Sequence, residues 1–456
     1  MWSIQAKLVA YAMAVVVGNA AAAQDLALPG PYSAGWTDVP VTRPEGGSFT
    51  ATLYYPATTA GSGAPYDDSG APYAAVSFGH GFLQPVSQYE STLEHLATWG
   101  YFAIATQSYG GILPDHAKYA ADLRHCLTWL EEQNTDASSE LYEQVDVDCF
   151  ALSGHSMGGG ASILATAADL RVRVLVNLAA AETNPSAIDA MADITVPVRL
   201  IAGSDDAIVP PESHGDFMYA NGHAPKQHAI IQGGFHCGFV DEWFLFCDSG
   251  AISRQEQLAI TRRLMTAFLN LYLQDDQALW PMVWGPLLND EPLVVTERDV
   301  GIALTPAEQE LEGSAGTVVS AALTVQNTAK QPTSYTLLAE DSVWATTLLP
   351  PQTPVLQPGE SFPVEVEIVI AAEGGETQTM LLSARSDLDG GTRGYATVIA
   401  TRLPGADITG DGVVDVLDLL QVLGQWGTAG SADVTGDGIV DVLDLLEVLG
   451  AWGPYK

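Results

Sequence analysis

Basic residues are scarce in this chain: 17 lysines and arginines stand against 55 aspartates and glutamates, giving a formal net charge of −38. Such a field repels nucleic acid and anionic lipid and argues against both as partners, while it suits bound cations or a saline medium. Long apolar runs are missing beyond the first residues, and no later segment has the roughly 18 uninterrupted apolar residues of a membrane helix. Cysteine is rare, with four in 456 residues. In an oxidising compartment four cysteines allow three pairings. Short loops favour Cys126 with Cys149 and Cys237 with Cys247, and free buried thiols are the alternative.

Residues 1–23 carry one early cation, Lys7, an apolar run from Leu8 to Val17 and small residues through Ala23. This is the pattern of a secretory signal peptide, and the run is too short to span a bilayer. The expected protein is secreted, either free outside the cell or attached at its surface. The chain is also longer than one hydrophobic core fills, so several domains are expected.

In residues 24–290, short apolar runs such as "AAVSFG", "YFAIAT", "VRVLVNL", "PVRLIAG" and "HAIIQGG" alternate with helix-like stretches at 117–133, 157–169 and 254–273. Strands buried on both faces read as continuous apolar runs, so this pattern predicts an α/β domain with a mainly parallel sheet. Residues 292–403 differ: β-branched segments such as "TVVSAALTVQNT" and "FPVEVEIVI" are separated by Gly and Pro. They predict an antiparallel β-sandwich, resembling the immunoglobulin-like modules of exported bacterial enzymes. Nothing in it suggests chemistry, so a spacer or a weak binding module is expected.

The segment "CFALSGHSMGGG" puts Ser156 in a Gly-x-Ser-x-Gly frame, Gly154 to Gly158, after a strand and before a helix. A sharp turn there lifts the hydroxyl clear of the sheet, which needs small neighbours. A serine is a poor nucleophile without a histidine to take its proton and a carboxylate to hold that imidazole. On this architecture the order is Ser, acid, His. "SDDAIVPPE" follows one strand and "FHCGF" the next, which nominates Asp206, with Asp205 as its rival, and His236. His214, His223 and His228 have weaker claims, as solvated or packing residues. Acyl transfer also needs N–H donors aimed at the developing oxyanion. Met157 follows the nucleophile, and Phe82 lies in "VSFGHGFLQ" after an early strand.

The stretches "GHGF", "GHSMGGG", "GSDDAIVP" and "GGFHC" resemble the bacterial cutinase-like and polyester hydrolase group of α/β-hydrolases, related to the dienelactone hydrolase and chlorophyllase-like esterases. The resemblance implies an α/β-hydrolase fold and a serine carboxylesterase without a catalytic cofactor. In it Ser156 attacks, His236 acts as base and then acid, Asp206 orients His236, and Phe82 and Met157 bind the oxyanion. The substrate is then an ester, either polymeric or a small or lipid ester. Polyester-degrading members carry a tryptophan after the strand that follows the elbow helix; here "VNLAAAETNP" has Glu182 and Thr183 in that place. In "HCGFVDEWFLFC", Phe239, Trp243, Phe244 and Phe246 either form an aromatic rim beside His236 or pack their own loop.

At the end, "DITGDGVVDVLDLLQVLGQWG" is followed 26 positions later by "DVTGDGIVDVLDLLEVLGAWG". Numbered from Asp407, the first block places Asp407, Thr409, Asp411, Asp415 and Asp418 at positions 1, 3, 5, 9 and 12, with Gly412 at 6 and the Val413 carbonyl at 7. A hard cation such as Ca²⁺ takes six or more oxygens, which this spacing wraps around one ion. The second block repeats the set as Asp433, Thr435, Asp437, Asp441 and Asp444 with the Ile439 carbonyl. Two structural Ca²⁺ ions are expected, each loop leading into a leucine-patterned helix that buries its face against the other. Residues 404–456 resemble a type I dockerin, a small α-helical calcium-binding domain. The resemblance implies a cohesin-like docking partner met by Val416, Leu417, Val442 and Leu443. A competing expectation is a surface scaffold or adhesion protein whose hydrolase domain is inactive.

Overall fold

The structure is a computed structural model that describes residues 25–371, 377–402, 405–409 and 411–454. The expected signal peptide, 1–23, and the expected junction at 403–404 lie outside the described residues.

Ten strands form one sheet: β1 (Ser33–Thr42), β2 (Ser48–Ala57), β3 (Gly61–Ser62), β4 (Tyr73–Gly79), β5 (Tyr101–Thr106), β6 (Val145–His155), β7 (Val172–Leu178), β8 (Val198–Gly203), β9 (Lys226–Ile231) and β10 (Val294–Asp299). Their order is β10-β9-β8-β7-β6-β4-β5-β2-β1-β3. The central run from β5 through β9 is parallel, as the continuous apolar strands predict. Helices α1 (Glu90–Thr98), α2 (His116–Thr135), α3 (Met157–Ala167), α4 (Ala187–Ala190), α5 (Gly215–Asn221), α6 (Arg254–Leu273) and α7 (Trp280–Val283) interleave with the strands. Two apolar cores result, one holding Phe78, Tyr101 and Phe268, the other Phe102, Leu127 and Phe150. This mixed layering fits a hydrolase-like α/β fold. The loops after β4, β6, β8 and β9 leave the carboxyl ends of parallel strands and therefore emerge along one rim, where such sheets place their sites.

The expected division at 290–292 is displaced. β10 pairs antiparallel with β9 from Val294↔Ile231 to Asp299↔Lys226, so the large sheet continues past it. The segment reads as sandwich because its β-branched residues carry no sign of which sheet they join. Eight further strands follow: β11 (Ile302–Thr305), β12 (Glu308–Gly313), β13 (Val318–Asn327), β14 (Tyr335–Glu340), β15 (Thr346–Leu349), β16 (Ser361–Val369), β17 (Thr377–Ser386) and β18 (Arg393–Arg402). They make two four-stranded sheets, β11-β13-β16-β15 and β12-β18-β17-β14, around a shared core with Val325, Val366, Leu382 and Val398. One pair, β12 with β18, is parallel rather than antiparallel.

This second unit packs on the first through polar and aromatic contacts. The Tyr272 hydroxyl lies 2.8 Å from Thr392 Oγ1, the Arg393 guanidinium sits 5.1 Å over the Trp280 ring, and Gln277 Nε2 donates to Gly390 O at 3.0 Å.

In the tail, α8 (Val416–Gly424) and α9 (Val442–Gly450) are each entered through an aspartate capping box, Asp415 with Asp418 and Asp441 with Asp444. Val414, Val422, Ala432, Val434, Val440 and Val448 form their common core. The expectation that the leucine faces bury one another holds only for part of each helix. Leu419 and Leu445 turn inward, whereas Leu417 and Leu443 are both 49% exposed and Val416 and Val442 are 53% and 50% exposed.

Candidate functional site

Ser156 stands between β6 and α3 with φ 55° and ψ −122°, a positive-φ conformation that costs a non-glycine residue about 1–3 kcal/mol unless its surroundings enforce it. They do: its N–H donates to Leu178 O at 3.0 Å, and its carbonyl accepts from Gly160 N at 3.1 Å and Ala181 N at 2.9 Å. The glycines allow α3 to start directly against the sheet. A Cβ on Gly158 would stand 2.1 Å from Gly79 O, and one on Gly154 2.5 Å from the Gly158 carbonyl.

His236 follows β9 and Asp206 follows β8. His236 Nδ1 and Asp206 Oδ2 lie 2.7 Å apart, both residues buried, so Nε2 is the ring nitrogen left for proton transfer. The other Asp206 oxygen accepts from Ile208 N at 2.9 Å and Val209 N at 2.7 Å, which fixes the carboxylate in its loop. Asp205 turns elsewhere: its Oδ2 accepts from Ala251 N at 3.0 Å. Of the two neighbours, Asp206 is therefore the one that meets the histidine. The ring of His155, the residue before Ser156, lies 4.4 Å from the His236 ring, which brings the elbow and the histidine loop together.

Phe82 lies in the loop after β4, its side chain 45% exposed, and Met157 begins α3. Neither backbone N–H has a hydrogen-bond acceptor among the described residues. The loop is pinned just ahead of Phe82. Gly81 N donates to Tyr89 Oη at 2.9 Å, Tyr119 Oη donates to His80 O at 3.0 Å, and the His80 ring lies 2.9 Å from Ser108 O through Nε2. Burial lowers the His80 pKa, against the opposing pull of the Gly81 and Ser108 carbonyls, which face its two ring nitrogens.

Three further residues belong to this neighbourhood, Asp248 and Tyr89 without a motif and His214 with only a weak claim from its sequence context. Asp248 accepts from His236 N at 2.9 Å and Ala207 N at 3.1 Å through one oxygen, and from Cys237 N at 2.9 Å through the other. His214, expected in a solvated or packing role, accepts Glu182 N through Nδ1 at 3.0 Å. Its pKa is lowered by burial, against an opposing pull from Asp206 and Glu182. Tyr89 is the third. The one available signal was that Asp248 adjoins a cysteine ten positions from the cysteine after His236.

The disulfide Cys237–Cys247 closes the insertion beside His236. The pairing of Cys126 with Cys149 is corrected: both are free. Cys126 faces the core under α2, whereas Cys149 packs against the core on the other side, and the sheet separates them. Burial raises both thiols, and Asp146 adds to the rise at Cys149, pushed up to about 12. Within the insertion the aromatics divide. Phe239 is fully buried and Phe244 packs on the core, while Trp243 and Phe246 are 63% and 83% exposed.

In the tail loops, Asp407 accepts from Asp411 N at 3.2 Å and Gly412 N at 2.8 Å, and Asp433 from Gly436 N and Gly438 N, both at 2.8 Å. Asp418 and Asp444 receive the N–H groups of Thr409 with Asp415, and of Thr435 with Asp441. The donor chemistry fits a hard cation: oxygen donors throughout, with no lysine or arginine between 405 and 454. Among the described residues, no three metal-binding side chains converge as a ready cluster.

A large mixed sheet with a serine on a strand-to-helix elbow and an Asp–His pair on the same rim defines a hydrolase-like α/β protein. The family described as "PETase: PET hydrolase-like" matches residues 13–242, about half of the chain, and the chain belongs to that family. Among curated proteins, Cutinase est1 of Thermobifida alba is 29% identical over 147 residues, 32% of this chain and 47% of that protein. Cutinase est2 of the same organism is 26% identical over 160 residues, 35% and 51% of the respective chains. The chain thus spans about half the length of the curated relatives it matches. Among the described residues no helix is long and apolar enough to cross a membrane.

Proposed function

We propose that the protein is a secreted serine carboxylic-ester hydrolase working through an acyl-enzyme. The observation that carries this reading is the 2.7 Å contact of Asp206 with His236 beside a serine held in a strained elbow. In the first half-reaction His236 Nε2 takes the Ser156 proton as Oγ attacks the ester carbon. The N–H groups of Phe82 and Met157 stabilise the oxyanion, and His236 returns the proton to the departing alcohol. In the second, His236 takes a proton from water as its oxygen attacks the acyl carbon, then gives that proton to Ser156 Oγ as the C–Oγ bond breaks and the acid leaves. Asp206 keeps the proton on Nδ1 and stabilises the imidazolium in both.

The rim supports a reading of the substrate class. The place of an aromatic flank holds Glu182, whose side chain accepts from Ile188 N at 2.9 Å, so a planar aromatic acid has no stacking partner there. Short aliphatic acyl esters and aliphatic polyesters suit the site better, with Trp243 and Phe246 on the exposed side. The tail is read as a dockerin-like module holding two Ca²⁺ ions and docking the enzyme to a cohesin-like partner through the paired exposed faces. The sandwich is read as an immunoglobulin-like spacer.

The test is product release by wild type and Ser156→Ala on a nitrophenyl butyrate, an aliphatic polyester film and an aromatic polyester film. Serine-dependent turnover of the first two supports the reading. Turnover that survives in the variant rejects Ser156 as the nucleophile, and none in either protein rejects the hydrolase reading and favours an inactive scaffold.

A further inference from the structure

We propose that Tyr89 is a positioning residue that fixes the Phe82 loop against the Ser156 elbow by a hydrogen-bond chain through His155. The inference rests on the hydrolase reading above, because the two loops it joins are those assigned to the oxyanion donors.

Tyr89 is fully buried at the end of the short turn Val86–Tyr89 that leads into α1. Its hydroxyl accepts the Gly81 N–H at 2.9 Å and lies 2.8 Å from His155 Nδ1. Burial raises the phenol pKa, so the hydroxyl keeps its proton, and with Gly81 as donor that proton goes to Nδ1. His155 is fully enclosed and held well below its ordinary pKa, chiefly by burial and then by the nearby His236. It is therefore neutral, with its own proton on Nε2. That nitrogen makes no well-formed hydrogen bond among the described residues, although the His236 backbone offers it an acceptor.

Both ends of the chain are one residue from a reacting group. Gly81 precedes Phe82, and His155 precedes Ser156. The approach is close: a Cβ on Gly81 would stand 3.0 Å from Tyr89 Oη and 3.2 Å from His155 Nδ1, so those groups would have to give by a few tenths of an ångström. The phenol ring packs on Phe78 with centroids 5.0 Å apart, a contact that phenylalanine keeps. Removing the hydroxyl alone therefore leaves the core filled and the Gly81 N–H and His155 Nδ1 unpaired, free to drift apart.

The experiment is Tyr89→Phe, assayed on a nitrophenyl ester with Ser156→Ala alongside. Displacement of one oxyanion donor predicts a fall in kcat of about 10- to 100-fold with KM little changed. A trifluoromethyl ketone, which mimics the tetrahedral oxyanion, should lose affinity by the same factor. An unchanged kcat, or a loss of activity with ketone affinity intact, overturns the proposal. If the variant does not fold, ¹⁵N-histidine NMR of wild type decides. His155 is expected as the Nε2–H tautomer, not titrating between about pH 5 and 8; an Nδ1–H tautomer overturns the chain. Absence of serine-dependent turnover in wild type would instead sink the hydrolase reading, whatever the tautomer.

Discussion

One oxygen of Asp248 accepts the backbone N–H of His236 at 2.9 Å and that of Ala207 at 3.1 Å. A single carboxylate thus ties the loop of the proposed base to the loop of the proposed acid. Asp248→Ala strands three N–H groups, counting Cys237, and should cost about 1–3 kcal/mol of stability. It should also lower kcat/KM about tenfold by loosening the Asp206–His236 pair. Asp248→Asn keeps one acceptor oxygen and should lose less of both. Urea melts and initial rates check this; equal, full activity in both variants contradicts it.

The disulfide joins two cysteines ten positions apart beside His236. Replacing Cys237 and Cys247 by serine should destabilise the protein by about 2–3 kcal/mol on the chain-entropy estimate. Titration of unreduced, denatured wild type with a thiol reagent should find two thiols, those of Cys126 and Cys149. Finding none would restore the second disulfide.

His95 is buried against Thr266 and pulled down to about 3 by burial and by Arg262. Its folded pKa lies below the unfolded value near 6.5, so the unfolded chain takes up the proton first as pH falls. The neutral ring's contribution is whole above about pH 6.5 and is lost below it, by up to about 1.4 kcal/mol per pH unit. His95→Gln lacks that loss. The Tm advantage of wild type over the variant should therefore shrink from pH 7 to pH 5, and a constant difference contradicts the assignment.

Calcium is expected to act on the tail alone. Chelation leaves Asp407, Asp411, Asp415 and Asp418 to repel one another, and should lower helical circular dichroism and expose Trp426 and Trp452 further. The kinetic constants on a soluble ester should be unchanged. A tail whose spectrum ignores both chelator and added calcium contradicts two bound ions.

Much of the rim was legible because chemistry fixed the residue types. The elbow needs glycines around a serine, and strand order places the acid and the histidine after successive apolar runs. The choice between Asp205 and Asp206 was not legible, since neighbours on one loop differ only in where the backbone aims them. Asp248 and Tyr89 act through backbone N–H groups, which leave no motif. The failed pairing of Cys126 with Cys149 has a similar cause: sequence distance says nothing of which face of the sheet a residue occupies. β10 was assigned to the wrong unit because a strand's composition does not name its neighbour.

The central claim is that Ser156 carries the acyl group. Rapid quenching of wild type with a nitrophenyl butyrate, followed by intact and peptide mass spectrometry, measures this directly. The account predicts a butyryl adduct on the peptide containing Ser156 that builds before steady state and is absent in Ser156→Ala. Ester turnover with no adduct on that peptide, or an adduct on another residue, would contradict it.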